Sequence, residues 1–433
     1  MNLKNIENLK KGIENGLLAY EAATAGDFTI CEKHGTGKSD NILAKGDNLS
    51  FIKYLTGNGY LNKFKLIYID PPFFTKAKYD ASIDISLNGK NKKIGHLAYD
   101  DTFQRDMEYY ITNISARLLG LKELLSDEGL IWVHLDWHSS HYVKIILDEI
   151  FGYDNFINEI IWKYKSGGTG TRHFSRKHDS ILVYAKSKHY FLNVGKEKSY
   201  NRNLMPYRFK GIKEYRDEFG WYTMVNTKDV WAIDMVGRTS NERNGYATQK
   251  PIELLKKIIS ASTIEGDLVG DFFSGSGTLA EAAVMMNRKF IAIDKGDIAT
   301  SIAKKRLDNL CAEYVYLNEE KNSNPQSNCH IVKHNEETLE NGKKWIRYSL
   351  ENIDIDIDYG HISNKDREEV LALAEKNPLS FVDYIMVDPN YDGEFNSEII
   401  ITENFDDIRI LSYGNTYFIV VDKFGKEYFS DGK

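Results

Sequence analysis

The chain has 433 residues, 42% of them hydrophobic and 27% charged, which excludes a disordered or fibrous protein and exceeds one ordinary domain. Its 56 basic and 63 acidic side chains give a formal charge of −7. Taken whole, that argues against a general nucleic-acid coat protein, because phosphate binding needs cations.

Residues 1 to about 45 read as a helix followed by a polar loop. The first strand runs from Lys65 to Asp70 and stops at Pro71-Pro72, since proline has no N–H to donate to a ladder. Met107, Ile111, Ile114, Leu118, Leu121 and Leu125 recur at helical spacing. Ser126 to Gly129 reads as a turn, Leu130 to Leu135 as a strand and His141 to Phe151 as an amphipathic helix. Glu159 to Lys163 and Ile181 to Tyr184 read as strands. From about 163 to 245 the chain is polar, basic and aromatic, with weak periodicity. Regular alternation returns with a helix over Pro251 to Ser260, a strand over Leu268 to Phe272 and a helix over Thr278 to Met286. A strand over Phe290 to Asp294 and a helix over Ile298 to Tyr314 follow. Strands alternating with helices predict an α/β fold with a doubly wound, mostly parallel sheet. Asn318 to Cys329 is a polar linker. Beyond it, Ile353 to Asp358 alternates like a strand and Gly414 to Phe429 reads as β-hairpins, so a small α+β domain ends the chain.

Charge by region reverses the first impression. Residues 160–213 hold thirteen cations against two anions, while residues 325–433 hold eleven against twenty-two. The middle segment interleaves Lys163, Lys165, Arg172, Arg176, Lys177, Arg202 and Arg208 with Tyr164, Phe174, Tyr200 and Phe209. Such a mixture suits phosphate contact and base stacking, although a solvated lysine-rich surface has the same composition.

Two motifs carry chemistry. Asp70-Pro71-Pro72-Phe73 ends a strand. A carboxylate and a backbone carbonyl there could accept the two N–H bonds of an exocyclic amine on a planar base, with the ring of Phe73 stacked on that base. The second motif is Asp271-Phe272-Phe273-Ser274-Gly275-Ser276-Gly277-Thr278, between a strand and a helix. Its glycines permit close approach of a ligand. Asp271 would repel a pyrophosphate but could hold an ammonium, and Asp294 stands near the spacing of an acid that binds ribose hydroxyls.

Together with Gly46-Asp47-Asn48-Leu49 and Thr248-Gln249-Lys250-Pro251, these motifs resemble the S-adenosylmethionine-dependent amino-methyltransferases of DNA. The catalytic motif precedes the cofactor motif, the order of their β class. GDNLSFIKYL, LLSDEGLIWVHLD and ILDEIFGYDNFINEIIWKY look most like modification subunits of type III restriction systems and their solitary relatives. The resemblance implies a Rossmann-like methyltransferase core with a catalytic half over 44–162 and a cofactor half over 246–317. An N-terminal helical extension (1–43), a basic recognition segment (163–245), a linker (318–329) and an acidic α+β domain (330–433) complete the expected organisation. By position, it implies that Asp70, Pro71, Pro72 and Phe73 hold the target base. Asp271, Phe272, Gly275 and Gly277 would line the methionine part of S-adenosylmethionine, and Asp294 would bind its ribose. Asp47 would lie near its adenine and Lys250 near its carboxylate. Asp rather than Ser at position 70 favours adenine N6 over cytosine N4. Type III relatives usually read Tyr-Asn-Thr-Gly where this chain has Phe73-Phe74-Thr75-Lys76.

The expected reaction is a direct displacement on a base flipped out of double-stranded DNA. Cytosine-N4 or RNA methylation, or a non-catalytic nucleic-acid-binding subunit on the same fold, remain the alternatives. A homodimer and a restriction or helicase subunit are the protein partners the resemblance admits. Cys31, Cys311 and Cys329 are scattered and odd in number, which fits a reducing compartment and a cytoplasmic protein. The N-terminus lacks a signal-peptide core, and no run of about 18 apolar residues spans a membrane. Gly35 to Ser39 imitates a nucleotide-binding loop without its first glycine, and Asp354 to Gly360 imitates a calcium loop with its glycine displaced. Asp388-Pro389-Asn390-Tyr391 echoes the catalytic motif in acidic surroundings. His134, Asp136 and His138 read as a polar strand end rather than a metal site.

Overall fold

A computed structural model describes residues 4–35, 39–87, 90–101, 106–165, 171–237, 239–319 and 329–432. Its centre is an eleven-stranded sheet. Across it the strands run Val230–Ala232, Phe156–Lys163, His178–Ala185, Leu125–Leu135, Phe64–Ile69, Leu268–Asp271, Lys289–Asp294, Ile42–Lys45, Tyr314–Asn318, Thr29–His34 and Asn396–Ser397. The six from Leu125–Leu135 to Tyr314–Asn318 are parallel neighbours.

Alternation along these strands supplies two cores. Ile67, Ile69, Ile131 and Val133 face one side, where the helices Asn48–Gly57, Met107–Leu124 and Ser140–Phe151 pack. Leu66, Tyr68, Leu130 and Trp132 face the other, where Ile252–Ser262, Thr278–Met285 and Asp297–Asn309 pack. Burial on both faces explains why these strands read as unbroken apolar runs. The result is the doubly wound, Rossmann-like arrangement that alternating elements predict.

Phe64–Ile69 and Leu268–Asp271 lie side by side, with Asp271 opposite Tyr68. From them the two halves of the sheet wind outward in opposite directions. Their carboxyl ends therefore flank a crevice at the topological switch point, where open α/β sheets bind ligands.

Several local expectations differ from the structure. The polar loop after the first helix, Lys4–Ala22, contains two strands of the central sheet, Thr29–His34 and Ile42–Lys45. Ser126 to Gly129 is not a turn; Leu125–Leu135 is one strand with a register shift against Phe64–Ile69. The helix expected to reach Tyr314 ends at Asn309, and Tyr314 opens a strand. Asp354 to Asp358 lies beyond the end of the strand Lys344–Ile353. The segment 163–245 gives His178–Ala185 and Val230–Ala232 to the central sheet and folds separately only in the sheet Lys196–Tyr200, Glu214–Arg216 and Trp221–Asn226. The C-terminal region is α+β, with a three-stranded and a four-stranded sheet and the helix Asn364–Lys376. Most of the linker, and Thr36 to Lys38 of the nucleotide-loop imitation, lie outside the described residues. Among the described residues no helix is long and apolar enough to cross a membrane, and no three His, Cys, Asp or Glu side chains gather as a metal site.

Candidate active site

The crevice holds a cavity of about 290 Å³, bordered by Asp47, Asp70 to Phe73, Lys250, Asp271 to Ser276 and Asp294. The four sequence motifs thus converge on one space. Gly277 stands behind it as the residue preceding the helix Thr278–Met285. Its φ of 74° is left-handed, and a Cβ there would come within 2.7 Å of Ala303 Cβ.

Asp70 directly follows the strand Phe64–Ile69. Its Oδ2 accepts a hydrogen bond from Lys250 Nζ, while Oδ1 is buried without a partner among the described residues. Phe73 leans on the buried ring of His134, with centroids 6.0 Å apart and planes 23° from parallel. Lys250 Nζ lies 5.6 Å from the Phe73 ring centroid. Lys250 is thus engaged with the Asp70 carboxylate. In the same motif, Gln249 folds the backbone by donating to Glu242 O at 2.7 Å and accepting from Asn244 N at 3.0 Å.

The backbone after Phe73 is left-handed at two non-glycine residues, with φ of 63° at Phe74 and 59° at Lys76. Gly and Asn enter this region at little cost, whereas Phe and Lys do not. Strained residues persist where their surroundings over-determine them. Here Asp101 Oδ2 accepts from Thr75 N at 2.6 Å and Thr75 Oγ1 at 2.7 Å. The Phe74 ring packs 5.4 Å from that of Tyr110.

On the cofactor half, Asp271 is 3% exposed and accepts from Phe273 N at 3.1 Å. Burial, then the nearby carboxylates of Asp70 and Asp294, push its carboxyl well above the ordinary range. A desolvated carboxyl beside a cavity fits an incoming ammonium. Asp294 closes the glycine loop: Oδ2 accepts from Gly275 N at 2.7 Å and Oδ1 from Gly296 N at 3.0 Å. Burial raises its pKa. Gly275 has φ 48°, and a Cβ there would lie 3.2 Å from the Tyr246 ring. Asp47 caps the helix Asn48–Gly57 through Leu49 N and Ser50 N, and its Oδ2 accepts from Arg117 Nη2 at 3.1 Å. The site therefore sets a buried acid, Asp271, beside a glycine-lined backbone cradle, a pairing that fits a ligand with a cationic amine.

The basic residues divide into two groups. Lys163 pairs in register with His178, so both stand at the sheet end that carries Asp70. Lys163, Lys165, Arg172 and Arg176 are exposed there and Lys177 is half-buried. The Arg176 guanidinium lies 3.9 Å over the ring of Trp137. Arg202 and Arg208 are exposed on the separate three-stranded unit.

Sequence reading missed Tyr68, Arg117, Thr75 and Asp101. His134 does stand at a strand end, one residue before Leu135, and its ring bonds Tyr68 Oη at 2.9 Å and Asp179 Oδ2 at 3.2 Å. Asp388 uses its carboxylate on the N–H groups of Asn390 and Asn396, so the second Asp-Pro motif is a turn.

A crevice at the switch point of a doubly wound parallel sheet, lined by Asp-Pro-Pro-Phe and a glycine cradle, places the chain in the ligand-binding α/β class. The chain belongs to the DNA methylase family of N6 and N4 amino-methyltransferases, whose pattern matches residues 64–305. The type II methyltransferase M.EcaI of Enterobacter cloacae is 28% identical over 326 residues, covering 61% of this chain and 69% of that protein. The EcoP15I Mod subunit of a type III restriction-modification enzyme of Escherichia coli is 26% identical over 232 residues, covering 48% of this chain and 35% of that protein. Among solved structures, the cytosine-N4-specific PvuII DNA methyltransferase is 14% identical, covering 63% of this chain and 89% of that one at a TM-score of 0.42.

Proposed function

We propose that the chain methylates adenine N6 at a specific sequence in double-stranded DNA, with the base held by Asp70, Pro71, Pro72 and Phe73. The observation that carries this reading is the buried Oδ1 of Asp70, an acceptor without a partner among the described residues, beside the desolvated Asp271. Asp70 Oδ1 accepts one N–H of the exocyclic amine and draws its lone pair toward a nucleophilic geometry. Lys250 holds the other oxygen through a hydrogen bond and so fixes the orientation of the carboxylate. Phe73 offers a ring face, backed by His134. Asp271 binds the cofactor ammonium, and the Gly275 and Gly277 turn lets the backbone approach the methionine chain. Bound S-adenosylmethionine supplies an electrophilic methyl group on a sulfonium. After transfer the surplus amine proton passes to Asp70 Oδ1 or directly to water, and no covalent enzyme intermediate forms.

The basic loop from Lys163 to Lys177 grips phosphates next to the pocket, and Arg202 and Arg208 extend that grip. Similarity to the EcoP15I Mod subunit supports a restriction subunit as a partner. Nucleoside analysis of duplex DNA methylated by the purified chain tests the reading. N6-methyladenine is expected. N4-methylcytosine as the product overturns the base assignment, and label confined to RNA overturns the substrate.

A further inference from the structure

We propose that residues 329–432 brace the methyl-transfer pocket from behind, serving cofactor binding and turnover rather than the grip on DNA. The inference rests on the site reading above and concerns a domain that lies wholly beyond the family match at 64–305.

Three contacts carry it. The first is behind the strained catalytic loop. Directly after Asp70 to Ala77 the chain forms the hairpin Lys78–Leu87 with Lys90–Asp100. Its apolar residues Ile83 and Ile94 share one core with Ile362, Val370 and Phe424 of the C-terminal domain. His96 bridges Ile362 as a strand would, and Lys92 pairs with Asp366 at 3.2 Å and with Glu369. Asp101, at the foot of this hairpin, clamps Thr75 between the two left-handed residues. The second contact is behind the cofactor cradle, where Tyr246 belongs to that same core and lies against Gly275.

The third is behind the Asp294 loop. The tight turn from Asp422 to Lys426 abuts the start of the helix Asp297–Asn309, only three residues after Asp294. A Cβ on Gly425 would stand 2.4 Å from Asp297 O and 2.8 Å from Ile298 N. One domain therefore backs the base-holding loop, the glycine loop and the acid loop together. Its excess of acidic side chains makes it a poor DNA surface, which separates its role from that of the basic segment.

Gly425→Ala tests the brace, with Gly342→Ala as its control. Both glycines are left-handed, at φ 86° and 79°, but nothing lies within 4 Å of a Cβ on Gly342. Backbone strain is thus matched, and only Gly425→Ala pushes the domain off the helix. The expected result is a loss of roughly 2- to 30-fold in cofactor affinity and turnover for Gly425→Ala, with DNA affinity unchanged and Gly342→Ala like wild type. A folded Gly425→Ala with wild-type cofactor affinity and turnover overturns the brace, as does a selective loss of DNA affinity. Lys92→Glu is an independent second variant, expected to lower turnover and to be rescued by adding Glu369→Lys. An inert Lys92→Glu also overturns the proposal. The pocket assignment itself is judged on wild type, which must bind cofactor; the brace is judged only on the ratio of variant to wild type.

Discussion

The imidazole of His134 lies 3.2 Å from Asp179 Oδ2, fully buried, and so joins the basic loop to the base-holding wall. Asp179 also accepts from Tyr164 Oη at 3.0 Å, so both ends of the loop meet at one carboxylate. From there His134 reaches Tyr68 and backs Phe73. Burial alone would raise the Asp179 carboxyl, but the His134 hydrogen bond, the Lys250 charge and the Tyr164 hydroxyl hold it below its ordinary value. Asp179→Asn keeps the shape and removes the charge. A hydrogen bond to a charged group contributes about 1.5–3 kcal/mol, so turnover should fall by roughly tenfold or more while cofactor affinity stays. Single-turnover methylation and a cofactor titration check this; equal losses in both would show general damage instead.

Asp70, just past the end of Phe64–Ile69, and Asp271, at the end of the adjacent strand, should separate cleanly by function. Asp70→Asn is expected to cut turnover by about 10²- to 10³-fold or more, with S-adenosylmethionine still bound. Asp271→Asn should weaken cofactor binding instead, because it removes the carboxyl group proposed to take up the ammonium. Calorimetric titration of each variant with the cofactor, beside the transfer assay, tells the two apart. An Asp70→Asn enzyme with near-normal turnover would remove Asp70 from catalysis.

The alternating elements and the four motifs were legible because each is local. LIYI followed by two prolines fixes a strand end, and a glycine run between a strand and a helix fixes a cradle. What the sequence hid depends on distant pairing. Thr75 meets Asp101 only because a hairpin closes between them. His134 meets Asp179 only because Leu125–Leu135 and His178–Ala185 run antiparallel in register. Thr29–His34 reads as loop because polar residues interrupt it, and Ile42–Lys45 because it is only four residues long; the sheet supplies their order. Lys250 was placed by motif alone, which cannot say which anion it will bond.

The left-handed backbone at Lys76 predicts a stabilising substitution. A side chain in this region costs about 1–2 kcal/mol, which glycine avoids. Lys76→Gly should therefore gain about 1 kcal/mol, offset in part by greater freedom in the unfolded chain. Phe74→Asn should gain nothing, since it forfeits the ring packing against Tyr110. Urea unfolding of both variants compares them, and a destabilised Lys76→Gly would refute the strain argument.

His34 should make stability fall in alkali. Its ring is buried between Glu32 Oε2 at 3.0 Å and Asp308 Oδ1 at 2.8 Å. Burial alone would lower its pKa, but the two carboxylates outweigh that and hold it at about 9. An unfolded histidine titrates near ~6.5. The folded state thus binds the proton more tightly. That contribution is complete below the unfolded pKa and is lost as pH rises through about 9. The stability gap between wild type and His34→Gln should be widest near about pH 6 and narrow toward about pH 10. Denaturant melts across that range measure it, and a gap that widens with pH contradicts the assignment.

The total charge of −7 hides a grip on DNA that should be local and salt-dependent. Arg172 and Arg176 are exposed on the loop that leaves the sheet end bearing Asp70. Arg409 is also exposed but belongs to the acidic domain, where it pairs with Asp407 at 3.1 Å. For duplex DNA, every phosphate that a side chain ceases to neutralise should reduce the slope of log affinity against log salt by about 0.9. Arg172→Glu with Arg176→Glu should therefore weaken binding across all sequences and flatten the slope by roughly twice that amount. Arg409→Glu should leave both unchanged. Fluorescence anisotropy over a salt series reads the slopes directly. Equal slopes for the two variants would move the DNA surface away from the basic loop.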